Sequence, residues 1–348
     1  MRSLALFNNK GGVGKTTLSF HIAHIMAREG IKTVALDYDP QANLTAIFLD
    51  EEQLEDLWRS EDKSSPTTVA RCVDRVRRGK GDVLEPDLVQ IADNLWLLPG
   101  DLGLSGFEQS LAEEWAKKTA TDNQRALDVT FALDQVSNLA ADAVGADLIL
   151  IDVGPSLGAL NRAAILGCDR IVVPLAPDLF SLQGLENVGP TLSAWRKDMD
   201  YVRAHCMTGR DQSSLPAHEF EPLGYIVQQH LARVDRPVSG YAKWANKIPS
   251  SYRRHILGED PPDAPQSFEE DPNCIFTIRH MASLAPIAQL ARKPMFDLKQ
   301  ADGIGGGQIQ AVARCRDDFR KLSRELLRRL GISPPEGPRW RIKRPRPG

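Results

Sequence analysis

The sequence predicts an α/β fold: a doubly wound, mostly parallel sheet flanked by helices, in one domain that carries surface insertions. Three observations carry this. A short apolar run, Ser3–Asn8, enters a glycine-rich turn that opens directly into a helical pattern. Further short apolar runs recur downstream with helical stretches between them, as strands buried on both faces require. Two of those runs end in aspartate, placing polar chemistry at the carboxyl ends of strands, where open α/β sheets collect their ligands. Strands alternating with helices pair in parallel through right-handed crossovers.

Taken in order, Ser3–Asn8 is the first strand. From Thr16 to Arg28 apolar residues fall at Leu18, Ile22, Ile25 and Met26, a helical spacing closed by Gly30. KTVALDYD (Lys32–Asp39) is the second strand. Residues 50–93 are charged and irregular and read as an insertion. Asn94–Gly100 reads as a strand and Gly106–Trp115 as a helix. Ala146–Asp152, Arg170–Ala176 and Pro222–Gln229 are further strands. Stretches near 199–221 and 237–273 are rich in Pro, Ser and Asp, and strand signals resume after each, so they read as insertions and not as domain linkers. A Gly-rich break, Ala301–Gln308, precedes one long helix, Gly307–Leu330. The domain is expected to span 1–331, and 332–348 to be a flexible basic tail rich in Pro and Arg.

Bulk composition excludes several classes. Five widely spaced cysteines without a C-x-x-C pair fit reduced, cytoplasmic thiols and neither a disulfide frame nor a metal knuckle. Met1–Asn9 reaches the glycine turn too soon for a signal-peptide core. No apolar run approaches the ~18 residues that would span a bilayer. The net charge of −3 is unevenly spread: residues 310–348 hold twelve Lys/Arg against four Asp/Glu. A basic end on an acidic body points to a partner for that end.

The turn itself is NNKGGVGKTT, Asn8–Thr17. It fits a phosphate-binding loop, G-x-x-x-x-G-K-[ST], except that Asn9 stands at the first glycine and an additional lysine, Lys10, follows. Gly11, Gly12 and Gly14 let backbone N–H groups turn inward around Val13. The helix beginning near Lys15 adds its positive end, so a polyphosphate is favoured there. Lys15 is placed for the β- and γ-phosphates, and Thr16, followed by Thr17, offers a hydroxyl to Mg²⁺. ILIDVGP puts Asp152 at the end of a buried strand, where an aspartate can hold Mg²⁺ directly or through water. LDYDPQANLT puts Asp37 and Asp39 two residues apart, on one face if the strand persists that far.

KGGVGKTT, DYDPQANLT, LILIDVGPSLG and VVPLAPDLFSLQGLENV together resemble the deviant Walker-A P-loop NTPases of the ParA/MinD group, nearest to ParA-type partition ATPases. The resemblance implies ATP and Mg²⁺ as cofactors and a homodimer formed with ATP. It implies that Lys10 reaches across that dimer to the partner's nucleotide. It assigns Asp39 to positioning the hydrolytic water, Asp37 to the Mg²⁺ shell, Asp152 to the Walker-B role and Gly154–Pro155 to a switch. It also implies adenine contacts from the end of a later strand, here Gln228 and Gln229. A partner protein that stimulates slow hydrolysis, and transport or positioning of a cargo, complete the family picture.

In the last helix, Ile309, Val312, Cys315, Phe319, Leu322, Leu326 and Leu330 cluster on one side at ~100° per residue. Arg314, Arg320, Lys321, Arg324 and Arg328 fall on the other, diluted by Asp317. A solvated helix face is the plain alternative. The resemblance favours nonspecific DNA binding by the ATP dimer, with nucleoid association as its consequence. The tail adds Arg339, Arg341, Lys343, Arg344 and Arg346 around Trp340. A membrane partner is not expected, because the tail is broken by prolines and has few large apolar residues. Since the first strand begins at once, a separate operator-binding domain ahead of it is not expected. PVSGYAKWANKIPSSYRRHILGE has no match in ordinary partition ATPases and leaves a dedicated protein partner, or a defence role, as an alternative. A metabolic, carboxylate-activating ATPase of the same fold is another.

Overall fold

Packing on both faces of one sheet decides the architecture. The computed structural model describes residues 1–335 except 60–64, 118–123, 206–214, 218, 229–242, 261–264, 266, 280 and 282. Gln229, Cys206 and the tail beyond 335 therefore lie outside the described residues. The chain begins β1 (Arg2–Leu6), α1 (Lys15–Arg28), β2 (Thr33–Asp37), α2 (Asn43–Phe48), α3 (Glu51–Arg59) and α4 (Val69–Arg77). It continues β3 (Val89–Ala92), β4 (Leu95–Leu98), α5 (Ser105–Trp115), α6 (Gln124–Thr130), α7 (Ala132–Val144), β5 (Leu148–Asp152) and α8 (Ala159–Leu166). Then follow β6 (Arg170–Leu175), α9 (Leu179–His205), β7 (Glu221–Gln228), α10 (Ile248–Tyr252), β8 (Cys274–Ile278), α11 (Ala285–Ala291) and α12 (Gly307–Leu330).

The sheet order is β3-β4-β2-β5-β1-β6-β7-β8, and every pairing is parallel except that of β3 with β4. Period-two alternation sends Leu4 and Leu6 to one core and Ala5 and Phe7 to the other. The same split places Leu148 and Leu150 opposite Ile149 and Ile151. One core is closed by α4–α10, the other by α1, α2, α11 and α12. In register, Asp152 stands beside Leu6 on one side and Asp37 on the other, so the ends of β1, β2 and β5 meet in one crevice.

Residues 50–93 are less irregular than their composition implies. They form α3, α4 and the edge strand β3, and Val69, Cys72, Val73 and Val76 of α4 are buried in the core. β3 and β8 were not legible as strands. VQIA is a half-buried edge, and CIFTI follows directly on a Pro- and Asp-rich stretch. Within the region read as an insertion near 237–273, α10 is tied to the sheet by a buried knot: Tyr225 Oη donates to Asp271 (2.7 Å) and Arg253 pairs with the same carboxylate (3.1 Å).

α1 and α12 are joined through His21. Its ring stacks on Phe319 (4.9 Å between centroids) and meets Phe296 edge-on (5.7 Å). Nε2 accepts from Met295 N–H at 3.0 Å, so Nδ1 carries the proton, donated to Thr17 O at 2.6 Å. Burial pushes the His21 pKa down to about 4, outweighing the Thr17 hydrogen bond.

His21→Leu should therefore cost about 1–3 kcal/mol in urea unfolding at pH 7.5, because Met295 N–H loses its buried acceptor. The folded pKa lies below the unfolded one, so the histidine's contribution is complete above about 6.5 and is lost as pH falls toward about 4. The stability gap between parent and variant should narrow over that interval. A gap that stays constant or widens contradicts the neutral, bridging ring.

Candidate nucleotide site

The loop between β1 and α1 takes its shape from two left-handed glycines, Gly12 (φ 70°) and Gly14 (φ 79°). Gly14 is the N-cap of α1, and Val13 beneath the loop is buried. A Cβ at Gly14 would fall 2.8 Å from the Gln228 amide, which donates to Val13 O at 2.7 Å. Gln228, expected at the adenine, is thus in contact with the loop backbone; Gln229 lies outside the described residues. Gly11, Gly12 and Thr17 are exposed, whereas Lys15 is buried. The Lys15 ammonium arcs back over the loop to Asn8 O (2.9 Å) and Lys10 O (3.3 Å). Burial lowers its pKa, and the nearby Asp152 and Asp39 oppose that shift.

Asp152 is fully buried and faces α1. It accepts from Thr16 Oγ1 and Ser19 Oγ, both at 2.8 Å. Burial raises its pKa to about 6 against these two hydrogen bonds. Asp37, also fully buried, turns toward α2 and accepts from Thr45 N (2.8 Å) and Thr45 Oγ1 (2.7 Å). Burial, then the neighbouring Asp152, raises the Asp37 pKa to about 7. Ser19 and Thr45 were missed in the sequence. Ser19 could have been found as the residue one helical turn after Thr16; Thr45 had no signal. Asp39 closes a turn through Gln41 N–H (3.0 Å), and this turn holds Ala42 at φ 51°, a conformation costly for a residue with a Cβ. A Cβ at Gly154 would lie 3.3 Å from the Asp39 carboxylate, so the β5–α8 connection passes directly against it.

Lys10 points away from this loop's cradle. Its ammonium pairs with Asp178 at 2.6 Å, with Ser181 Oγ at 3.5 Å. Burial alone would raise the Asp178 carboxyl, but the Lys10 and Ser181 hydrogen bonds hold it below its usual range. Leu179 and Phe180, which follow Asp178 directly at the start of α9, are exposed.

The crevice is a cleft of about 650 Å³ running from the loop past Asp39 to Asn43 of α2 and Gln289 of α11. Its donor set suits a polyphosphate with a hard cation: backbone N–H groups, one ammonium, the Thr16 hydroxyl and a carboxylate behind it. Mg²⁺ keeps several waters and takes few protein ligands, so Thr16 with Asp152 at second remove fits it. Among the described residues no group of three or more His, Cys, Asp and Glu could hold a metal by itself.

On α12, Arg314, Lys321, Arg324 and Arg328 are exposed and Arg320 is half-buried. Arg328 pairs with Glu325 at 2.7 Å. Arg316 and Arg329 serve the fold, donating to Phe296 O (2.8 Å), Leu223 O (3.0 Å) and Pro272 O (2.7 Å). No described helix is long and apolar enough to cross a membrane.

Residues 1–201 match a protein family described as an AAA domain. The sporulation initiation inhibitor protein Soj of Bacillus subtilis is 28% identical over 197 residues, covering 57% of this chain and 67% of Soj. The match spans between 42% and 67% of the length of such curated relatives. A Corynebacterium diphtheriae protein superposes with a TM-score of 0.67 at 23% identity, over 95% of this chain and 99% of its own. McdA from Cyanothece, solved as an ATP complex, gives 0.59 at 16%, over 96% and 97%. The chain belongs to the ParA/MinD-type P-loop ATPases.

Lys15→Ala should weaken MgATP binding by about 10- to 150-fold, since a buried ammonium–phosphate hydrogen bond contributes about 1.5–3 kcal/mol. Isothermal calorimetry on the folded variant measures this. Near-parental affinity would rule out the loop as the phosphate site.

Proposed function

We propose that the protein is an Mg²⁺-dependent ATPase working as a dimerisation switch. ATP brings two copies face to face, the dimer binds DNA without sequence preference, and slow hydrolysis, stimulated by a partner protein, releases it so that a cargo is segregated or positioned. The observation that carries this reading is Lys10. The loop already has a candidate phosphate lysine in Lys15, and Lys10 is held apart from it in a partly exposed pair with Asp178. A second phosphate-seeking cation at the rim of one site is useful to another copy's site, as a cation supplied in trans. The exposed Leu179 and Phe180, next to Asp178 in the chain, would supply apolar surface for the same contact.

The remaining roles follow from position. Thr16 and Asp152 would hold Mg²⁺, with Asp37 behind them bracing α2. Asp39, close against Gly154, would orient the attacking water, so movement at the β5–α8 connection would register hydrolysis. Soj is named for inhibiting sporulation initiation and McdA was solved with ATP. The first name agrees with a regulator more than with a metabolic enzyme.

Lys10→Ala should retain nucleotide binding and lose ATP-dependent dimerisation, whereas Asp39→Ala should dimerise with ATP and remain dimeric. Light scattering coupled to size exclusion reads both, and a Lys10→Ala protein that dimerises and turns over normally refutes the trans-lysine reading.

Asp178→Ala should act in the opposite sense. A partly exposed ion pair is worth up to about 1 kcal/mol, and a dimer releases two of them, so the variant should favour the ATP dimer by up to roughly thirtyfold in its dissociation constant. Weaker dimerisation in this variant would mean that Asp178 builds the interface and does not restrain the lysine.

A further inference from the structure

Residues 243–258 contain Lys243, Lys247, Arg253 and Arg254 and no Asp or Glu, in a chain whose net charge is −3. They form α10 and a π-helical turn, Arg253–Leu257, an irregularity that recurs at functional sites. The segment is pressed onto α9 at Gly189, where a Cβ would fall 1.9 Å from the His255 carbonyl oxygen. A glycine is needed there for the two elements to close.

Between them lies a groove of about 440 Å³. Gln183 and Glu186 line it from α9, and Lys247, Ser250, Ser251 and Arg254 from the other side. Lys243, Lys247 and Arg254 are exposed, while Arg253 is committed to Asp271. Trp244 stands at the rim, with the Lys243 and Lys247 ammonium groups 4.8 Å and 5.4 Å from its ring centre. Glu186 is the only carboxylate among the described lining residues.

We propose that this groove is a docking site for the phosphate backbone of duplex DNA, lying beside the face through which two ATP-bound copies meet. Lys247 and Arg254 are seven positions apart, about 10 Å along helical backbone, a rise over which each DNA strand carries about three phosphates. Serine hydroxyls and a glutamine amide between the cations are the short donors that position a backbone without reading bases. The groove begins on the first turns of α9, the helix whose N-terminal neighbour Asp178 holds Lys10. Two copies joined across the Lys10 face would bring two such grooves onto one assembly, multiplying weak contacts only when ATP is bound. This inference rests on the DNA-binding reading above and moves part of the contact from α12 to the α9–α10 groove.

Fluorescence anisotropy of a labelled random-sequence 30-mer duplex, with the full chain in ATP or ADP, tests it. The double variant Lys247→Ala/Arg254→Ala should lose at least about tenfold in ATP-state affinity and flatten the log–log salt slope by about 1.8 per groove engaged. ATP-dependent dimerisation should be unchanged. DNA should also quench fluorescence in the parent, and Trp244→Phe should remove part of that quench. Arg314→Ala/Lys321→Ala/Arg324→Ala on α12 is measured alongside. If the parent binds DNA and the groove variant binds equally well, the groove assignment fails while the DNA reading stands. A parent that binds no DNA with ATP overturns both. If poly-glutamate binding is lost in the groove variant and DNA binding is kept, the groove serves an acidic protein and the proposal is wrong.

Discussion

Everything at the site depends on one electrostatic constraint: the adjacent strands β2 and β5 end in fully buried carboxylates, Asp37 and Asp152, and one buried ammonium, Lys15, lies near Asp152. Isolated buried charges are prohibitive. Each group is tolerable only because the fold aims polar donors or opposite charge at it. Asp152 takes the Thr16 and Ser19 hydroxyls, Asp37 takes Thr45 at the first turn of α2, and Lys15 takes two loop carbonyls. Even so, burial holds both carboxyls well above their usual pKa, which leaves their ionised forms short of stabilisation. A metal-bound polyphosphate is built to fill that deficit: its cation suits the carboxylates and its anion suits the ammonium and the loop N–H groups.

The same constraint ties the crevice to distant surfaces. α2, braced at its start by Asp37, is held at its end by Arg292, whose guanidinium donates to Ala46 O and Leu49 O. Arg292 adopts φ 48°, a conformation with an energetic cost for arginine. It belongs to the segment after α11 that also supplies Met295 to His21 and Phe296 to the ring cluster on α12. A shift of α2 around Asp39 therefore has packed, hydrogen-bonded matter to push against all the way to the basic helix.

What could be read in the sequence followed from how local the physics was. The phosphate loop was legible because left-handed backbone at Gly12 and Gly14 demands glycine and the chemistry demands Lys15 and Thr16. The strands were legible because parallel strands buried on both faces are continuous apolar runs. Ser19 and Thr45 were obscure because a hydroxyl that satisfies a buried carboxylate looks like any other hydroxyl. Charge counting on α12 overstated its free surface: Arg316 and Arg329 are consumed by backbone carbonyls, and Arg328 pairs with Glu325, which only tertiary contacts reveal. The pairing of Lys10 with Asp178 joins residues 168 apart and had no local trace.

Under the proposed dimer switch, that last contact would keep a lysine destined for the partner's nucleotide off its own loop. An unpaired ammonium beside the loop would compete for the chain's own phosphates. The pair with Asp178 holds it aside, yet with both side chains partly exposed (22% and 28%) it is worth at most about 1 kcal/mol. A charge-assisted hydrogen bond to a phosphate in a closed interface is worth about 1.5–3 kcal/mol. In the proposed switch, that difference would favour exchange when a second nucleotide-loaded copy is present and the resting pair when it is not. A buried, fully desolvated pair would have made release too expensive, and no pair at all would have left the lysine on its own loop. Partial exposure at Asp178 is what keeps both states within reach.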